Sequence, residues 1–141
     1  MAARDTKVRQ ENRSAAGDYL KKAADNYDQM LLAFNSENWN AAATLAVQCA
    51  ISSADAVCVH YRGARSVSQD HLDVCELVSL VGLEGAEEKS KQLRKVIARK
   101  NMVQYESRSA RRADADEMVK VTMRFYQWVL ENLGGTNGRC Q

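Results

Sequence analysis

Apolar residues recur at three- and four-residue steps through most of this chain, and each run of that period predicts a helix. The first spans about Thr6 to Phe34, with Val8, Ala15, Tyr19, Ala23, Tyr27, Met30, Leu31 and Phe34 on one stripe. The segment NSEN, residues 35–38, interrupts it, and Ser36 or Asn38 suits the cap of the next helix. That second helix, about Trp39 to Tyr61, reads WNAAATLAVQCAISSADAVCVHY and is apolar on nearly every face. It is expected at the centre, with neighbours all round, and Gly63 is its stop. A third helix starts near Ser68 and turns Leu72, Cys75, Val78 and Leu80 or Val81 inward. Ser66 with Gln69, or Ser68 with Asp70, supplies its capping pattern. Gly82 and Gly85 precede a fourth helix, about Ala86 to Lys100, with Leu93, Val96 and Ile97 facing inward. Residues 98–112 are either a continuation or a loop. Ser109 then caps a fifth helix running to about Leu133 on the stripe Met118, Val121, Thr122, Phe125, Trp128 and Val129.

Together these predict an all-α fold, an antiparallel helical bundle of four main helices plus one short helix. One domain is expected over residues 1–133, with a flexible tail at 134–141. Composition agrees: there is no proline, and three of the seven glycines fall in the tail. Hydrophobic content of 45% excludes disorder as the default. No apolar run is read as long enough to span a bilayer, and MAARDTKVRQENRS lacks the apolar segment of a signal peptide. A cytoplasmic protein with no membrane partner is expected.

The four cysteines form no CxxC pair, and two histidines are too few to complete a metal set. Cys49, Cys58 and Cys75 have apolar neighbours and read as small core residues, so no metal and no cofactor is expected. Charge changes the picture more. Between Lys89 and Arg112 there are nine basic residues against the single acid Glu106, a local charge of +8 in a chain of net +2. The rest therefore carries −6. Such concentration suits an anionic partner, unless acids elsewhere balance it in three dimensions.

Two further features stand out. Asp55 is the only acid of the second helix and must be paired, hydrogen-bonded or facing a cleft. RSVSQDH, residues 65–71, places Arg65 six residues before His71. Helix initiation explains most of SVSQD, leaving Arg65 and His71 as a candidate base and phosphate-binding cation for metal-independent RNA cleavage. His60 reads as a core or turn residue.

The stretch from Trp39 to Val78 joins an alanine-rich helix through a short basic turn to a histidine that opens the next helix. LRKVIARKNMVQYES, residues 93–107, is a basic segment ending near a tyrosine before the last helix. In both, over roughly residues 14–131, the chain resembles the HEPN superfamily of small helical-bundle proteins, especially its compact stand-alone bacterial forms. The resemblance implies dimerisation, and a place in toxin–antitoxin, phage-defence or RNA-processing systems. Some members are nucleases whose arginine and histidine meet across the dimer; others bind RNA, nucleotides or partner proteins. In the nucleases an Arg, four to six residues, His motif lies near the start of the last long helix. The matching region here runs from Arg99 to Tyr105 and has Gln104 or Tyr105 where the histidine would stand. The family's catalytic histidine does not carry over.

The expected reading is therefore a binding module, dimeric, contacting RNA, a nucleotide or a cognate antitoxin or nucleotidyltransferase partner. Asp55, Asp70, Arg99, Lys100, Asn101, Tyr105 and Arg108 are its candidate ligand-binding residues. Lys100, Asn101 and Tyr105 would join Asp55, Arg65 and His71 in one pocket if the tops of the second to fourth helices come together. Tyr105 would serve as a hydrogen-bond donor or stacking platform. The alternative is a metal-independent ribonuclease using Arg65 and His71, or the basic segment 99–108.

Overall fold

A computed structural model describes residues 8–67 and 72–134. It is mostly helical. The chain enters through a short strand, β1 (Val8–Gln10), and a 3-10 turn at Arg13–Ala15. Helix α1 (Ala16–Asn35) leads to α2 (Trp39–Arg62), which is followed by a second short strand, β2 (Ala64–Ser66). Then come α3 (Leu72–Ser79), α4 (Ala86–Ile97), α5 (Lys100–Tyr105) and α6 (Arg112–Asn132).

Helix α2 organises the rest. Thirteen of its residues are buried, so it has neighbours on nearly every face, as its composition requires. Small side chains at Ala42, Ala43, Ala46, Ala50 and Ala54 are fully buried. They let α1 and α6 approach closely, and burial rather than helix propensity holds the three together. Gly63 ends α2 in the left-handed region, φ 65°, with its N–H on the Val59 carbonyl at 2.9 Å. By length and hydropathy α2 is sufficient to cross a bilayer, which corrects the expectation that no apolar run reaches that length; 72% of the apolar window is covered by the protein itself.

Contacts fix the helix directions. Asn40 Oδ1 accepts from the Ala110 N–H (2.7 Å), the Thr122 hydroxyl donates to the Ala46 carbonyl (3.4 Å), and the Tyr61 hydroxyl donates to the Asn132 carbonyl (2.5 Å). Residue numbers rise together along both helices, so α2 and α6 run the same way. Helix α4 runs against α6. Trp128 Nε1 donates to the Glu84 carbonyl at one end (3.3 Å), and Arg99 reaches Glu117 at the other (2.8 Å). The Ser90 hydroxyl on the Cys75 carbonyl (2.7 Å) ties α4 to α3.

Several expectations are corrected at the boundaries. The first helix begins at Ala16 rather than Thr6, because Val8–Gln10 pairs antiparallel with Ala64–Ser66 (Val8 opposite Ser66, Arg9 opposite Arg65). A local apolar pattern carries no information about a partner strand more than fifty residues away. The predicted fourth helix ends at Ile97, and a separate short α5 follows. Arg111, not Ser109, is the N-cap residue of α6. Asn38 stands at the N-cap of α2 but makes no side-chain capping bond. The capping pairs at Ser68, Gln69 and Asp70, and the tail from 135 onward, lie outside the described residues.

Candidate functional site

The predicted site residues fall into two groups at opposite ends of α2. Asn40, which binds the segment entering α6, and Asp55 are fifteen residues apart on one helix, about 22 Å along its axis. The single pocket expected from Asp55, Arg65, Lys100, Asn101 and Tyr105 does not form. His71 and Asp70 lie outside the described residues.

At the first end, Asp55 is 6% exposed on α2 and Arg65 reaches it from β2, with a guanidinium nitrogen 3.6 Å from the carboxylate. That is an ion pair beyond hydrogen-bond reach. Arg65 is held more closely by Glu11, Nε to carboxylate 3.1 Å, and Glu11 also accepts from the Tyr19 hydroxyl at 2.6 Å. The Tyr19 ring carries the Arg65 guanidinium at 5.3 Å and the Lys22 ammonium at 5.5 Å from its centroid. Burial pushes the Asp55 carboxyl up to about 7, outweighing the nearby Arg65 charge. Glu11 moves the other way, held below the usual carboxylate range first by the Tyr19 hydroxyl and then by Arg65. Tyr19 is raised to about 12 by burial and by its bond to Glu11. Arg65 thus sits between two carboxylates, and its charge is already answered.

At the second end, Asp114, nearly buried in the first turn of α6, gathers the basic segment. It accepts from the Arg111 N–H (2.9 Å), Arg99 (3.0 Å) and Arg108 (3.3 Å). The Arg111 N–H is the largest cause of its lowered pKa, with Arg108 and Arg99 adding to it. Arg99 also reaches Glu117. The candidate ligand residues Arg99 and Arg108 are therefore committed to internal pairs. Lys100 sits over the Tyr105 ring at 5.6 Å, Tyr105 is 71% exposed, and Asn101 faces solvent. Arg112 lies over the Trp39 ring at 5.5 Å. Among the described residues, Lys89, Lys91, Arg94, Lys95, Lys100, Arg111 and Arg112 make no ion pair with an acid. Seven of the nine basic residues of 89–112 thus keep their charge unanswered, and Lys91, Arg94 and Lys95 line the exposed side of α4.

Sequence reasoning passed over Glu11 and Asp114, the acids that organise the two ends. Asp114 had a local signal, an acid in the first turn of a helix. Glu11 had none, since its partner Arg65 is fifty-four residues away.

Among the described residues no group of three His, Cys, Asp or Glu side chains is placed to hold a metal. Cys49, Cys58 and Cys75 are buried free thiols, raised above the usual thiol range by burial (Cys49 to about 12, Cys75 to about 11), and carry no nucleophile at neutral pH. His60 is exposed at the last turn of α2, edge-on to Tyr61, rather than in the core.

A family model, HEPN domain, matches residues 16–133, from the first residue of α1 to one residue past α6. The chain belongs to the HEPN family. Neither a search of curated proteins nor a search of solved structures returns a match. The HEPN range leaves out β1 and Glu11, so one carboxylate of the Arg65 clamp comes from a segment outside the matched domain.

Proposed function

We propose that this HEPN domain is a binding module that contacts RNA through the end of the fold formed by α4, α5 and the start of α6. One observation carries the reading: seven basic side chains of 89–112 have no acid partner among the described residues, while Asp114 and Glu117 spend themselves on Arg99 and Arg108. Phosphate oxygens would take up the unanswered charge, and the exposed Tyr105 ring beside Lys100 would stack on a base. Arg99 and Arg108 then act as braces for that surface rather than as its contacts. A nucleotide, or the acidic face of a cognate antitoxin or nucleotidyltransferase, would meet the same charges. We read the helices as an antiparallel bundle of four main members, acting as a homodimer within a toxin–antitoxin or phage-defence system.

The ribonuclease alternative has less support. Arg65 is engaged by Glu11 and Asp55, so a phosphate there would meet two carboxylates, and the basic segment 99–108 contains no histidine.

Fluorescence anisotropy with a single-stranded RNA tests the reading, for wild type and for a Lys91→Glu, Arg94→Glu, Lys95→Glu variant. Affinity should fall as salt rises, with a log–log slope of about −0.7 per phosphate neutralised. The variant should bind at least about tenfold more weakly with an unchanged melting temperature, each lost phosphate contact reducing electrostatic affinity. Binding indifferent to salt, or equal in the variant, would sink it. Incubation with RNA in EDTA, beside His71→Ala, decides the alternative.

A further inference from the structure

The groove between α1 and α2 holds a cleft away from the basic end and independent of the function proposed for that end. It has a volume of about 440 Å³, inside the range of roughly 300–1,000 Å³ usual for small-molecule sites. Tyr19, Lys22, Asp25 and Asn26 face it from α1, Asp25 being already paired with Lys21 at 2.6 Å, and Arg65 reaches it from β2. Gln48, Ser52 and Asp55 face it from α2 at steps of four and three, the polar stripe of an otherwise apolar helix.

Much of this polar lining makes no hydrogen bond within the fold. Among the described residues, Asn26, Gln48 and Ser52 make no side-chain hydrogen bond, and Lys22 makes no ion pair. Among the described residues nothing donates a hydrogen bond to the Asp55 carboxylate, its nearest cation being Arg65 at 3.6 Å, and its oxygens stay open to the cleft rather than sealed in the interior. An ionised carboxylate has room for about four donors. Arg65 does not close the gap, because Glu11 anchors its guanidinium at 3.1 Å. The contrast with Asp114, which takes three donors from its own chain, is direct.

The order of these groups along the groove defines what fits. The two helices run antiparallel here, since Tyr19 and Lys22 are close enough to Asp55, and Tyr27 to Cys49, to act on each other electrostatically. The Lys22 ammonium, over the Tyr19 ring, therefore shares the Asp55 end of the groove, and the amide side chains of Asn26 and Gln48 line it beyond. A molecule with a protonated nitrogen beside an anionic group satisfies both charges, provided its body can hydrogen-bond.

We propose that this cleft binds a small zwitterion, a free α-amino acid with a polar side chain. Its ammonium donates to Asp55, its carboxylate pairs with Lys22, and its side chain runs past Ser52 toward Gln48 and Asn26. Ile51 lines the same wall and packs against methylene groups.

The test uses the full ¹⁵N-labelled chain, titrated with each common L-amino acid at millimolar concentration and followed by amide NMR. At least one amino acid with a polar side chain should shift the amides of Lys22, Ser52 and Asp55. Its Nα-acetyl derivative and its α-amide, each lacking one charge, should bind about tenfold more weakly, since a lost charge-assisted bond is worth about 1.4 kcal/mol or more. Lys22→Gln, at an exposed position that leaves the core untouched, should weaken the free amino acid to the same degree, and Asp55→Asn should abolish its binding. If no amino acid moves these amides, or if the derivatives bind as well as the free form, the proposal is overturned.

Discussion

Replacing Asp55 with asparagine keeps the shape of the side chain and removes its charge. Two forces act on the aspartate in opposite directions. Burial penalises its ionised form, and Arg65 at 3.6 Å favours it. Burial wins in the folded protein, moving the carboxyl from an ordinary 3.8 to about 7. The folded state then holds this proton more tightly than the unfolded chain does. The stability so gained is complete below pH 3.8 and is lost as pH rises through about 7. A change of that size corresponds to ~4 kcal/mol in total, and roughly 2 to 3 kcal/mol of it falls between pH 5 and pH 8.5. Asparagine does not titrate. Urea denaturation of both proteins across that interval should therefore find Asp55→Asn gaining on wild type as pH rises, by roughly 2 kcal/mol or more. Groups that titrate equally in both proteins cancel in the difference. A flat difference over this interval would mean that Asp55 titrates at or below its ordinary value, with the Arg65 ion pair matching or outweighing burial, and would refute the reasoning.

Three further substitutions test other parts of the fold. Asp114→Ala removes the acceptor of the Arg111 N–H and of two arginines, and should cost about 1 to 3 kcal/mol in urea denaturation. Because the folded Asp114 carboxyl lies below its ordinary 3.8, its contribution is present above that pH and lost as pH falls through the lower value. The variant should accordingly lose less stability than wild type on acidification below pH 4, and an equal loss would argue against the Asp114 cluster. Asn40→Ala leaves the nearly buried Ala110 N–H without its acceptor and should cost about 1 to 2 kcal/mol, whereas an unaffected denaturation midpoint would mean water replaces the bond. Gly63→Ala forces a Cβ into φ 65° at the end of α2 and should cost about 1 to 2 kcal/mol by the same assay; no change would mean the turn relaxes to negative φ.

The helical parts were legible where burial and period coincide. Met118, Val121, Thr122, Phe125, Trp128 and Val129 are all buried on α6, and Gly63 closes α2 as its position in the sequence implied. Each of these follows from neighbours within a few turns. The strand at Val8–Gln10 was not legible, because three residues of mixed polarity become a strand only when Ala64–Ser66 is beside them. The sites failed in the same way. Asp55 and Arg65 were found as anomalies of type and place, and they do meet. Lys100, Asn101 and Tyr105 were joined to them on the assumption that the helix tops converge, and the helix directions send that segment to the far end of α2. Ser52 and Ser53 already mark the stretch beside Asp55 as locally polar in the sequence, whereas Gln48, seven positions before Asp55, joins it only when α2 is read as two faces rather than as one apolar rod.

The pairing of α2 with α6 also dictates an order of assembly. Helices α1 and α2 adjoin in sequence and can meet as soon as both exist. The other side of α2 waits for a partner that starts at Arg112, fifty residues after α2 ends. During synthesis the chain therefore carries a long helix whose apolar stretch has a mean hydropathy of 1.5, with one flank uncovered. A chain cut before α6 would leave that flank bare, a surface prone to association with other apolar matter. Helix α6, made long after α2, is the one that turns this apolar segment into an interior.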